Sequence, residues 1–401
     1  MNYDRYINQA IAAVPPSGIR RFFDIAATMK DAISLGVGEP DFVTPYHIRN
    51  AAINSIIDGG TQYTGNRGLP ELCREISEYL SERFHTDYDP KTEIMVTVGA
   101  SEAIDIALRA LVGPGDEVLV PQPSYVSYSP SVIFAGGTPV GVETTADTEF
   151  RLTPEALRAA ITPRTKCLIL PYPNNPTGAL YPREVLEKIV DLAREFQLMI
   201  FSDEIYDRLC FDGLKHESIA SLAPDVFCVT FSGLSKSHMI AGYRIGWMVL
   251  SGNLNAARDY IEGINMLSNM RLCSNVPAQS IVQTALWGHQ SVESYVVPGG
   301  RVYEQREYIY KALNDIPGIS AVKPNAAFYI FPKIDIKRFN ITNDEQFALD
   351  LLKEKKILLI HGGGFNWQQP DHFRVVYLPQ MDVLKECMGK LSDFMSHYRQ
   401  A

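Results

Sequence analysis

An alternation running through the middle of this chain constrains its fold more than any other feature. Short apolar runs at 93–98, 117–121, 165–170, 199–202 and 227–230 read as strands. Amphipathic stretches separate them. In 182–196, Val185, Ile189, Leu192 and Phe196 recur at helical spacing, and Pro182 suits a first turn. Such alternation predicts an α/β fold whose mostly parallel sheet is covered on both faces. Sheets of this kind bind ligands beyond the carboxyl ends of their strands. Small and polar residues stand there in this chain: Gly99-Ala100-Ser101 after one run, Asn175 after another, Asp203 and Tyr206 after a third, Lys236 after a fourth.

The end of the chain has a different pattern. The stretch 305–313 reads as helix, 328–334, 357–360 and 373–378 as strands, and 382–398 as a closing helix. This predicts a smaller α+β unit, to which the Gly- and Pro-rich start (14–18 and 36–45) is expected to add. With 401 residues, the chain exceeds what one core usually supports.

The residues at the strand ends form a chemical set. Lys236 lies in Ser232-Gly233-Leu234-Ser235-Lys236-Ser237-His238 and follows the apolar run ending at Phe231. A lysine in such a crevice can serve as a Schiff-base amine and later as a general base. Asp203 could merely cap a helix, but it could also hold a pyridine nitrogen protonated. Tyr206 and Asn175 offer donors to a phenolic oxygen; their bland roles are core tyrosine and turn residue. Arg244, in Gly242-Tyr243-Arg244-Ile245-Gly246, brings forked donors for a phosphate. Ser235, and also Ser232, adds hydroxyls, and Gly99-Ala100-Ser101 opens a helical stretch whose N-terminus favours anions. Tyr125 is a candidate to stack on a ring. Together these are the parts of a pyridoxal 5′-phosphate site. Arg374, inside the apolar run Phe373-Arg374-Val375-Val376, is costly to bury unpaired. It is either half of a structural salt bridge or a clamp for a substrate carboxylate.

Charge and composition exclude several classes of function. A net charge of −9 argues against nucleic acid or an anionic membrane as partner. No apolar run approaches the ~20 residues of a membrane span, and residues 1–9 lack the order of a signal peptide. The 6 cysteines are scattered without a CxxC and read as buried free thiols, which fits a reducing cytoplasm. The histidines show no metal-binding spacing. Gly362-Gly363-Gly364 lacks the Lys-Ser/Thr of a nucleotide loop, and Lys353-Glu354-Lys355-Lys356 reads as a solvated helix face.

Taken in order, the landmarks resemble the class I/II aminotransferases, fold-type I enzymes dependent on pyridoxal phosphate. They are Gly36-Val37-Gly38-Glu39-Pro40-Asp41-Phe42, Tyr63-Thr64-Gly65-Asn66-Arg67-Gly68, Gly99-Ala100-Ser101-Glu102-Ala103, Asn174-Asn175-Pro176-Thr177-Gly178, Ser202-Asp203-Glu204-Ile205-Tyr206, Ser235-Lys236 with Arg244, and Phe373-Arg374. The late block running from Gly364 to Arg374 is similar to bacterial alanine aminotransferases, while most other motifs are shared with aspartate aminotransferases. The resemblance implies a large cofactor-binding domain (51–286) with a mostly parallel seven-stranded sheet, and a small α+β domain from 1–50 and 287–401. It implies ping-pong transfer of an amino group from an L-amino acid to a 2-oxo acid, alanine- or aspartate-type with 2-oxoglutarate. It also implies a homodimer with shared sites, in which Tyr63 reaches the neighbouring subunit's cofactor phosphate. Gly38 would lie near the substrate carboxylate, and Ile19 and Arg20 would help to close the site. Arg20, Arg21 and Arg67 are candidates for a second substrate-binding cation.

The chain departs from common family patterns at four points: Gly233 where many relatives carry serine, Ala326 where many carry glycine, His361 where proline is common, and Tyr125 where some stack tryptophan. A β-C–S lyase of the same fold is the alternative reading. A transcriptional regulator is disfavoured by the short segment before Pro45, and a silent structural protein by the intact set of site residues.

Overall fold

The computed structural model describes residues 3, 6–14, 22, 24–25, 28–29 and 31–400. Ile19, Arg20 and Arg21 lie outside them.

Seven strands form the main sheet: β1 (Ile94–Thr97), β2 (Glu117–Gln122), β3 (Thr138–Glu143), β4 (Thr165–Pro171), β5 (Met199–Asp203), β6 (Cys228–Gly233) and β7 (Gly246–Ser251). Their order across the sheet is β1-β7-β6-β5-β4-β2-β3. β7 runs antiparallel to both of its neighbours, and the other pairs are parallel. The two-residue period of a strand divides side chains between the faces. Along β4, Cys167 and Ile169 enter one apolar cluster, and Leu168 and Leu170 enter the opposite one. Helices α1 (Gly99–Leu111) and α3 (Arg258–Arg271) cover the first face, and α2 (Arg183–Phe196) covers the second. Central strands buried on both sides read as continuous apolar runs, which is why they are visible in the sequence.

A separate cluster joins helices α4 (Arg301–Asn314), α5 (Asp344–Lys355) and α6 (Met381–His397) to a small antiparallel sheet. In it, Phe373–Val376 lies between Tyr329–Ile330 and Ile360–His361. The early strand Ile33–Ser34 pairs in parallel with Ile357–Leu358, and the Val376 amide donates to the Leu35 carbonyl. Residues far apart in sequence are thereby held in one body, and the segment carrying Gly36 and Gly38 is delivered to the carboxyl ends of the main sheet's strands.

Some expected elements differ. The run 328–334 breaks at Phe331-Pro332, since proline has no amide to donate. The run 357–360 splits at Leu359, its two halves pairing with different strands. Pro182 precedes α2 as its cap residue rather than sitting in the first turn. The six cysteines are all free; Cys210 and Cys273 are only partly buried. Among the described residues, no helix is long and apolar enough to cross a membrane.

Candidate active site

A cavity of about 350 Å³ opens beyond the carboxyl ends of β4, β5 and β6. Gly36, Gly38, Ala100, Ser101, Tyr125, Asn175, Asp203, Tyr206, Ser235, Lys236, Arg244 and Arg374 all line it, so strand ends and the early segment converge there.

Lys236 follows β6, and its Nζ donates to the Gly38 carbonyl at 2.8 Å. Burial lowers its pKa from 10.5 to about 8; Arg374 and Arg244 push the same way, and Glu39 and Asp203 oppose them. Asp203 ends β5 and is 7% exposed. Burial pushes its carboxyl up, while a bond from the Tyr128 hydroxyl at 2.6 Å and a longer one from the Ile205 amide hold it down. Tyr206 shares a 2.8 Å hydrogen bond with Tyr329, a second hydroxyl on the cavity wall.

Arg374 is 6% exposed, and no described carboxylate pairs with it. Its Nη1 donates to Asn175 Oδ1 at 2.9 Å, an Nη2 proton goes to the Gly36 carbonyl, and Nε has no partner. The guanidinium lies between the rings of Tyr329 (4.8 Å) and Phe365 (4.6 Å). Burial lowers its pKa. The structural salt bridge is therefore absent among the described residues, and a buried cation is left facing the cavity without an anion, a costly state unless a ligand supplies one.

On the opposite wall, α1 begins at Gly99 with no side chain capping its first amides. Arg244, held in the left-handed region at φ 52°, donates from Nη2 to Ser101 Oγ at 3.0 Å and from Nη1 to the Ala241 carbonyl at 3.2 Å. Ser235 lines the same wall; Ser232 does not. Free amides, a guanidinium and hydroxyls meeting at one helix end suit a phosphate. Close backbone approach makes this wall. A Cβ on Gly246 would lie 2.6 Å from Gly99 C and from Ala100 N, and one on Gly99 would lie 2.6 Å from the Arg244 guanidinium. Gly99 thus stands behind the wall and makes room for it. At Gly233, where many relatives carry serine, a Cβ would come within 2.8 Å of the Ile245 carbonyl, so this backbone has no room for that serine.

Four further residues singled out in the sequence also lie away from the cavity. Tyr63 is 83% exposed and outside the cavity. Arg67 is consumed by the Ile94 and Thr92 carbonyls and by Asn265, which removes it as a substrate-binding cation within this subunit's cavity. His361 is buried against Phe22 and, like Ala326, does not line the cavity. Sequence reasoning missed Tyr128, Tyr329 and Phe365. Tyr128 was signalled only by its position three after Tyr125, at the start of a helix, and Tyr329 by its place in Ala326-Ala327-Phe328-Tyr329.

Similarity to known proteins runs the length of the chain. A family described as "Aminotransferase class I and II" matches residues 30–388. The glutamate-pyruvate aminotransferase AlaA of Haemophilus influenzae is 49% identical over 371 residues, covering 92% of this chain and 91% of that protein. Among solved structures, an aminotransferase from Escherichia coli superposes with a TM-score of 0.95 at 40% identity, covering 98% and 99% of the two chains. An alanine aminotransferase from Pyrococcus furiosus gives 0.92 at 37%, covering 97% and 99%. A lysine of lowered pKa, a buried carboxylate and an unpaired buried arginine around one cavity, in a fold matched end to end, lead to one conclusion: the chain belongs to the class I and II aminotransferase family.

Proposed function

We propose that this aminotransferase uses pyridoxal 5′-phosphate and is of the alanine type, exchanging an amino group between alanine and glutamate through pyruvate and 2-oxoglutarate. The observation that carries the reading is Arg374, a buried guanidinium with an unpartnered Nε and no described carboxylate, on the same cavity as Lys236. An α-carboxylate is the complementary group. The names of the 49% identical H. influenzae protein and the P. furiosus structure support the alanine type and do not favour the lyase.

The residues fit the cofactor. Arg244, Ser101, Ser235 and the first amides of α1, at Ala100 and Ser101, would hold its phosphate, with Gly99 giving them room. Asp203 would keep the ring nitrogen protonated, Tyr206 and Asn175 would donate to the phenolic oxygen, and Tyr125 would cover the ring face. The bound cofactor supplies an aldehyde for amines and a ring that takes up an electron pair. The protein does the rest. Arg374 fixes the substrate carboxylate, with Asn175 orienting the guanidinium and Gly38 lying close to the carboxylate. Lys236, with a pKa of about 8, is an amine at which the substrate α-proton can be taken up and returned near neutral pH. Among the described residues, the cations on the cavity wall are Lys236, Arg244 and Arg374. A second carboxylate, as in glutamate, would draw on a cation from outside that wall.

The same reading includes a homodimer with shared sites, Tyr63 contacting the partner's phosphate, and a division into 51–286 and 1–50 with 287–401. The exposed apolar residues Tyr46, Ile53, Ile56, Ile57, Met266 and Met270 support an interface. The free thiols fit the cytoplasm.

The test is a half-reaction. The yellow holoprotein is mixed with single amino acids and no oxo acid. Bleaching by alanine and by glutamate, reversed by pyruvate and by 2-oxoglutarate, is the expected result. Ammonia released from a sulfur amino acid without bleaching would replace this reading with the lyase.

A further inference from the structure

We infer that Tyr329 is a positioning residue that fixes the direction of the Tyr206 proton and strengthens Tyr206 as a donor to the cofactor's phenolic oxygen. The inference rests on the reading of Tyr206 given above and adds a residue to it.

Tyr329 is held from three sides. Its hydroxyl is 2.8 Å from that of Tyr206, with the rings edge-on at 84°. The Arg374 guanidinium lies over its ring at 4.8 Å. Its hydroxyl also fills the space above Gly38, where a Cβ would come within 2.2 Å of it. The side chain is 1% exposed, so its orientation is set by packing. Asp203 and Arg374 are the charged groups acting on Tyr206; Arg374 acts on Tyr329, with Tyr125 a further neighbour.

Each phenol carries one proton, and either oxygen of the pair could be the donor. If the Tyr206 proton is spent on the cofactor oxygen, the bond between the two hydroxyls must run from Tyr329 to Tyr206. Burial keeps both phenols protonated, Tyr329 with a pKa of about 12. A hydroxyl that accepts a bond donates a stronger one, because each bond in the chain polarises the next. A stronger donor draws charge from the phenolic oxygen and loosens that oxygen's hold on the proton of the neighbouring Lys236 nitrogen. Tyr329 therefore lowers the pH at which the holoenzyme's visible band titrates.

The experiment is a spectroscopic pH titration of holoenzymes without substrate. Y329F keeps the ring that packs on Arg374 and loses only the hydroxyl. Its midpoint should rise by roughly 0.2–0.6 pH units, a tenth to a third of the strength of a hydrogen bond to a charged oxygen. Y206F should shift further in the same direction, and adding Y329F to Y206F should move the midpoint no more. Replacing Tyr329 with 3-fluorotyrosine, a more acidic donor of nearly the same shape, should shift the midpoint downward. An unshifted Y329F midpoint, or a double variant whose shift is the sum of the two singles, would overturn the relay. A wild-type protein that shows no visible band after incubation with pyridoxal phosphate would instead remove the cofactor reading itself.

Discussion

Burial lowers the Lys236 ammonium from 10.5 to about 8, and this has a consequence for the cofactor-free protein. An unfolded chain keeps the ordinary lysine affinity for protons. Between about pH 8 and 10.5 the unfolded state therefore binds more protons than the folded one, and stability rises with pH across that window. Below it the full penalty applies, on the order of 3 kcal/mol; above it the penalty is gone. K236M, which keeps the length and loses the charge, should make the cofactor-free protein more stable than wild type near neutral pH. The gap should close as the pH approaches 10.5. Denaturant midpoints of both proteins across this range provide the check, and a gap independent of pH would refute the burial account. At this scale the sequence was most legible where a polar residue stands just beyond an apolar run, as Asp203 and, five residues past Phe231, Lys236 do. Tyr128 and Tyr329 were not legible, because each acts on another side chain: Tyr128 on Asp203, Tyr329 on Tyr206. Pairing through space leaves no mark in local spacing.

At the scale of elements, the site depends on how closely α1 can descend onto the sheet. β7 carries Gly246 opposite Gly233 of β6, and the first residues of α1 rest on Gly246. G246A would place a Cβ 2.6 Å from backbone atoms of Gly99 and Ala100, which cannot rotate away as a side chain would. Overpacking of this kind costs about 1–3 kcal/mol. The helix start would have to move relative to Arg244. The expected result is a lower melting temperature together with faster loss of pyridoxal phosphate on dialysis. G263A, on α3 with only an Ala110 contact at 3.6 Å, should retain the cofactor as wild type does. Equal retention by both variants would mean that the glycine contact does not build the phosphate wall. β7 itself was not read from the sequence, although it is buried along its length. It begins two residues after Arg244, and that stretch was read for the arginine's forked phosphate donors, not for a strand. β3 was missed for the opposite reason: it is an edge strand with mixed exposure, so no apolar run marks it. The five strands that were read, β1, β2, β4, β5 and β6, are buried along most of their length, including β1 at the other edge of the sheet, and burial favours unbroken apolar runs.

At the scale of the whole molecule, Tyr63 is the residue that the single chain leaves unexplained. It is 83% exposed and stands away from the cavity, yet its sequence neighbourhood is one of the family landmarks. Exposed apolar side chains on Tyr46–Ile57 and on α3 give this subunit a surface suited to a second copy. If each site is completed by the partner's Tyr63, defects at Lys236 and Tyr63 belong to different subunits of one site. K236A homodimers should be inactive, and Y63A homodimers should lose cofactor affinity and turnover. Unfolding and refolding an equal mixture would form heterodimers with one site carrying both defects and one carrying neither. Random pairing makes half of the dimers mixed, so about a quarter of the wild-type sites should be restored. That recovery must exceed the sum of the two parents' activities measured separately. Activity equal to that sum would place Tyr63 and Lys236 in the same subunit's site, or leave Tyr63 outside any site, and the shared-site dimer would have to be given up.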